Sequence, residues 1–305
     1  MNDFSQFTIS KNVAPFDGEL CIEPLSESVG AEITDVSLDA LSSQQFETIR
    51  AAWHRHSAVL FRNQDLSDDA LMAFSRRFGV LDHAPVMENG QSAVEGKPEI
   101  YVISNVLGEN GKAIGSLGNG EAVWHTDMSY LQCPPDASLL YALEIPDQGG
   151  NTSIAGMNCA LRNMPATLLA EIRGKSIKHD GTYNSGGLPR HGVRVDDDPR
   201  SCEGMAHPIV CRHPETAVDT LYLGRRRNAW VVGMSLEESE HLLDRLWAHA
   251  TRPEFVYEHK WRVGDLLLWD NRCTLHRRGS FDAGQRRIMH RTQISGSHQP
   301  DSYGR

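Results

Sequence analysis

The chain has 305 residues, 40% of them apolar, enough for one sizeable core, and no stretch approaches the roughly 20 apolar residues of a membrane-spanning helix. A formal net charge of −10 repels phosphate backbones and argues against nucleic acid as a partner. Met1-Asn2-Asp3-Phe4 shows no basic region followed by an apolar run, so a cytoplasmic protein is expected. The six cysteines include no C-x-x-C pair, which predicts free thiols and no zinc-ribbon or thioredoxin-type site.

In chain order, Ser42 with Gln45 forms a capping-box pattern, and Phe46, Ile49 and Trp53 follow at helical spacing. A strand is predicted at 58–61. Ser67, Asp68 and Asp69 open a second helix with Leu71, Phe74 and Phe78 on one face, ended by Gly79. Strands are predicted at 99–104 and 138–144, and Pro165 starts a helix that runs to Gly174. Residues 180–205, rich in Gly, Asp, Pro and Arg, read as a loop or lid set into a single domain of 1–305. Ser235 and Glu238 cap a helix carrying Leu242, Leu243, Leu246 and Trp247. Strands at 255–261, 265–269 and 288–294 close the chain. Helices that fall early and between strand groups predict a mainly β fold with flanking helices, a sandwich or jelly roll, and not a doubly wound sheet.

In Trp124-His125-Thr126-Asp127, residues two apart on an extended strand share a face, so His125 and Asp127 can reach one metal; alone, the pair reads first as a polar strand end. Imidazole and carboxylate are two members of the 2-His-1-carboxylate set of non-haem Fe(II) oxygenases. The apolar strand ending Trp269-Asp270-Asn271-Arg272-Cys273-Thr274-Leu275-His276 supplies a natural third ligand, His276. In 285–291, Arg287 and Arg291 share one face and His290 takes the other; two arginines beside a metal call for anions, and guanidinium suits planar carboxylates. Arg225-Arg226-Arg227 reads as a solvated or ion-paired stretch. His179, His191, His207 and His213 read as core or loop histidines, with His179 or His191 on the lid the alternative contacts to substrate.

These residues resemble the taurine and 2,4-dichlorophenoxyacetate dioxygenase family from about Pro24 to Gly296. The resemblance is carried by Val29-Gly30-Ala31-Glu32-Ile33, Arg76-Arg77-Phe78-Gly79, Trp124 to Asp127, Gly149-Gly150-Asn151-Thr152, His207-Pro208-Ile209-Val210, Trp269 to Arg272, and Gln285 to Arg291; Asn151 stands where the family has Asp. It implies a double-stranded β-helix (jelly roll) and a homo-oligomer. It implies Fe(II) on His125, Asp127 and His276, with 2-oxoglutarate and O2 as co-substrates. Thr152 and Arg287 would take the distal carboxylate of 2-oxoglutarate, and Arg291 the acid group of the primary substrate. Asp127 argues for hydroxylation, since halogenating relatives carry a small residue there.

The family's taurine-binding positions fall on Ala84, Met87 and Glu121, so a small organic acid other than taurine is expected. His83, beside Ala84, is a candidate substrate contact that takes the family histidine's place only with a register shift. Met87, Val123 and Tyr183 are the predicted wall, and Glu121 is either a contact for a cationic group or solvated. Two other readings use the same residues: a zinc hydrolase on the His/Asp/His site, and a non-catalytic metabolite-binding jelly roll.

Overall fold

The computed structural model describes residues 20–86, 92–118, 122–184, 187, 189–190, 192–196 and 198–301. The predicted strand Ala58–Phe61 is apolar at every position because both of its faces are covered. Ala58 and Leu60 meet Leu140, Ile154, Leu267, Trp269 and Met289 in one core; Val59 and Phe61 meet Ile49, Trp53, Leu71 and Phe74 in another. The second core lies under the helices Ser43–His56 and Asp68–Arg76, each opened by its predicted serine cap, with a complete capping box at Ser42 and Gln45. These helices cover one face of an eight-stranded sheet ordered Cys21–Pro24, Ala31–Thr34, Ala58–Phe61, Leu266–Asp270, Ala137–Glu144, Ile288–Ile294, Tyr101–Ser104, Ser116–Leu117.

Against the other face lies a four-stranded sheet, Val256–His259, Thr152–Gly156, Thr274–Arg278, Ala122–His125. Its far side packs Ala155 and Leu275 against the helices Met157–Arg162, Ala166–Ile172 and Leu236–Ala250, the last opened by a capping box of Ser235 and Glu238. Successive strands change sheet: 122–125 small, 137–144 large, 152–156 small, then 256–259 small, 266–270 large, 274–278 small, 288–294 large. The architecture is therefore mostly sheet, in two facing layers with helices outside. Among the described residues, 180–205 contains no helix or strand, and it leaves and re-enters through the antiparallel pair Ser176–Lys178 and Ala206–Pro208. No described helix is long and apolar enough to cross a membrane.

Several boundaries differ from expectation, most by one to three residues. Pro253–Phe255 forms a 3-10 turn, because proline cannot donate to a ladder, and the strand begins at Val256. The edge at 99–104 pairs only from Tyr101. His276 does not end the strand Leu266–Asp270 but lies within the next, Thr274–Arg278.

Candidate active site

Strand Ala122–His125 pairs antiparallel with Thr274–Arg278 in a register that sets His125 opposite His276, their ring centroids 4.1 Å apart. Asp127 joins them by a route that alternation did not foresee. The strand stops at His125, Thr126 donates its hydroxyl to the Thr274 carbonyl, and Met128 takes φ 45° in a turn. A turn, not a shared strand face, brings His125 and Asp127 together. The Nε2 atoms of His125 and His276 lie 3.7 and 3.8 Å from the two oxygens of Asp127.

This trio fits a divalent metal. All three are buried, and their potential ligand atoms lie within 4.8 Å of one another. Nδ1 of His125 donates to the Val123 carbonyl at 2.7 Å, which leaves the Nε2 lone pair facing the carboxylate. Burial pushes both imidazoles below their usual range, His276 strongly so, which keeps them neutral and able to ligate. Burial opposes the Asp127 charge, yet neighbouring charge, the Arg291 guanidinium first, holds the carboxyl well below the usual range.

Asp127 is also held from behind. Ser138 donates to its Oδ2 at 2.9 Å; Asn271 and Gln293 donate to the Ser138 hydroxyl, and Trp269 Nε1 donates to Asn271. The intervening Asp270 faces the opposite way, into a buried network with Arg272 and His213. A second His/Asp/Cys grouping there, His213, Asp270 and Cys273, has its carboxylate already committed to those two partners.

Two cavities meet at the trio. The smaller, of about 50 Å³, is lined by His125, His276, Thr152, Arg287 and Arg291 among others. Arg287 is 1% exposed, its Nε and Nη2 have no partner, and burial with the nearby Arg278 lowers its pKa to about 9, so it stays charged at neutral pH. The turn at Gly149 and Gly150, both at positive φ, lets the chain pass close to it: a Cβ on Gly150 would lie 3.3 Å from Arg287 Nε. Thr152 is buried and accepts from Trp261. Arg291 donates to Asp127 at 3.2 and 3.3 Å and lies over the Tyr101 ring. His290 points away to Asp68, as the alternation required.

The larger cavity, of about 320 Å³, is lined by Asp127, Arg291, Tyr101, His83, Ala84 and Asn184, together with Arg190 and Arg225. Val123, expected on its wall, is 51% exposed and turned outward, because a register irregularity between His276 and Arg278 breaks the strand's alternation. The Tyr183 ring lies under the Arg227 guanidinium, and its carbonyl accepts from Arg225. Met87, Glu121 and His191 lie outside the described residues. Arg225 corrects the reading of its triplet: Arg226 pairs with Glu240 and Asp244, but Arg225 is 7% exposed and faces the site. No sequence signal separated the three arginines. Ser138 and Gln293 were likewise missed, since their role exists only across strands.

Residues 22–293 match the model of the taurine catabolism dioxygenase TauD, TfdA family. The chain is 31% identical to the (S)-phenoxypropionate/alpha-ketoglutarate-dioxygenase of Sphingobium herbicidovorans, over 90% of this chain and 94% of the relative. It resembles a taurine dioxygenase structure from Burkholderia xenovorans (TM-score 0.74, 34% identity, 91% and 90% of the two chains). It also resembles AAD-2 in complex with Mn(II) and N-oxalylglycine (TM-score 0.75, 29% identity, 93% and 100% coverage). These matches set aside the zinc hydrolase and the non-catalytic jelly roll. The chain belongs to the taurine catabolism dioxygenase TauD, TfdA family and is a 2-oxoglutarate-dependent dioxygenase, with Fe(II) as its metal and 2-oxoglutarate and O2 as co-substrates.

Proposed function

We infer that the enzyme hydroxylates a small organic acid other than taurine, on a double-stranded β-helix, with the 180–205 loop as a lid. The observation that carries the reading is the placement of two guanidiniums, Arg287 and Arg291, in one cavity beside a buried His/Asp/His trio. His125, Asp127 and His276 hold the iron. Bound there, Fe(II) couples the conversion of 2-oxoglutarate and O2 to succinate and CO2 with insertion of the second oxygen atom into a C–H bond. Arg287, with Thr152, takes the distal carboxylate of 2-oxoglutarate. A buried guanidinium with free donors favours a planar bidentate partner, and the small cavity leads from it to the two imidazoles. Ser138 and Asn271 fix the carboxylate orientation, so the trio is preorganised.

Arg291 stands where both cavities meet and anchors the acid group of the primary substrate, which sets the C–H bond presented. Ala84 at the cavity wall offers no polar group to a sulfonate. The strand exchange between the two sheets supports the β-helix. The family resemblance supports a homo-oligomer, which analytical ultracentrifugation would measure. Anaerobic titration with Fe(II) and 2-oxoglutarate, then aerobic succinate release across a panel of organic acids and taurine, tests the assignment. Succinate coupled to hydroxylation of an aryl or alkyl acid is expected. A best substrate that is neutral, or taurine itself, overturns the substrate class.

A further inference from the structure

One anchored acid group leaves two of the larger cavity's three guanidiniums without a role. Gly224, at φ 68°, turns the chain after Asp219–Leu221 hard against His179; a Cβ there would lie 1.9 Å from His179 Nδ1 and 2.6 Å from Ser129 Oγ. That turn delivers Arg225 to the cavity while Arg226 goes out to helix Leu236–Ala250. Arg225 donates one hydrogen bond, from Nη1 to the Tyr183 carbonyl; its Nε is buried without a partner, and among the described residues no carboxylate forms an ion pair with it. Arg190, from the 180–205 loop, stacks its guanidinium 4.6 Å from the Tyr130 ring centroid, and its Nε is also buried and unpartnered.

Nearby carboxylates are committed elsewhere. Asp127 serves the trio and Arg291, Glu99 binds Arg76, Asp82 accepts from Ser295, and Asp180 accepts from Thr182 and Asn228. Burial, reinforced by Arg190 and only partly offset by Asp127 and Asp180 at longer range, lowers Arg225 to about 10, so the group remains a cation at neutral pH. A buried cation with free donors and no carboxylate in contact is costly, and a divalent metal at the trio would add to the positive field.

Resting on the dioxygenase reading above, we propose that Arg225 and Arg190 form a second anion subsite, so that the primary substrate is a small dianion. One acid group sits on Arg291 and the other on Arg225 and Arg190, and two-point anchoring holds the intervening carbon chain or ring before the trio. A single anion would satisfy Arg291 alone and leave the other pair uncompensated.

The probes are phenoxyacetate, a monoanion, and its 2-, 3- and 4-carboxy derivatives, dianions that span a range of acid spacings. Dissociation constants are measured by calorimetry on the Fe(II)- and 2-oxoglutarate-loaded enzyme without oxygen, and succinate release is then followed in air. At least one carboxy isomer is expected to bind about tenfold or more tighter than phenoxyacetate. Arg225→Met and, independently, Arg190→Met remove that advantage, and Arg225→Lys restores part of it. Thermal midpoints identify any variant that fails to fold, and the Arg190 variant then carries the test. If no isomer gains over phenoxyacetate, or if both variants weaken monoanion and dianions by the same factor, the subsite is overturned. Phenoxyacetate turnover without a dianion gain sinks this proposal alone. If no acid supports consumption of 2-oxoglutarate, the organic-acid dioxygenase reading falls with it.

Discussion

Asp127 accepts from Ser138 on one oxygen, faces both imidazoles, and meets Arg291 across the cavity. Its charge therefore organises the site as well as completing the donor set. Asp127→Ala is expected to abolish turnover and weaken Fe(II) binding beyond detection, with circular dichroism unchanged; full activity in that variant would remove the metal assignment. Arg287 makes a sharper quantitative case. Its free donors are buried at the small cavity, where losing a charge-assisted bidentate pair costs about 2–5 kcal/mol. Arg287→Ala should raise the 2-oxoglutarate concentration needed for half-maximal rate by about two orders of magnitude or more. An unchanged requirement would assign the co-substrate carboxylate to another residue.

At the scale of elements, the site depends on one strand pair and two turns. The pairing of Ala122–His125 with Thr274–Arg278 sets the two histidines opposite each other, and the turn at Met128 swings Asp127 between them. The turn at Gly224 presses on His179 and positions Arg225. A side chain at Gly224 meets both a left-handed backbone and atoms well inside contact distance. Strain of about 1–3 kcal/mol and overpacking of similar size follow. Gly224→Ala should lower the thermal midpoint by about 5 °C or more. A midpoint within 1 °C of the parent would mean that the turn relaxes freely. The helices carry no site residue, but their caps were the most legible feature of the sequence: Ser42 with Gln45, and Ser235 with Glu238, each close a reciprocal box within four residues.

For the molecule as a whole, packing two sheets and their helices buries histidines that the unfolded chain leaves in water. His179 has both ring nitrogens unpartnered; burial, then the neighbouring His207, holds it well below the usual imidazole range. His207 is lowered too, chiefly by burial. The unfolded chain takes up protons on these groups near pH 6.5 while the folded chain refuses them. Stability from this source is full above about pH 6.5 and is lost as pH falls below it, by about 1.4 kcal/mol per pH unit for each such histidine. The metal-free protein should therefore show a falling thermal midpoint from pH 7.5 to 5, and His179→Leu should make that slope shallower. An identical slope in the variant would show that His179 accepts its proton in the folded state.

Features that depend on neighbours in the chain were determined by the sequence itself: the capped helices, the apolar strands, His125 with Asp127, and Arg287 with Arg291 four residues apart. The parity of the last strand placed both arginines on the site face and sent His290 to Asp68 without any tertiary knowledge. What the chain could not announce depends on register and turns. Asp127 converges through a turn at positive φ, His276 lies inside a five-residue strand whose mixed polarity did not reveal it, and Ser138 reaches Asp127 from another sheet. Arg225 is the clearest case. Three consecutive arginines are chemically identical, and only the turn at Gly224 sends one to the cavity, one to the acidic face of a helix and one onto Tyr183. Charge patterns are local, but desolvation belongs to the fold, and desolvation separates a solvated arginine from one that needs an anion.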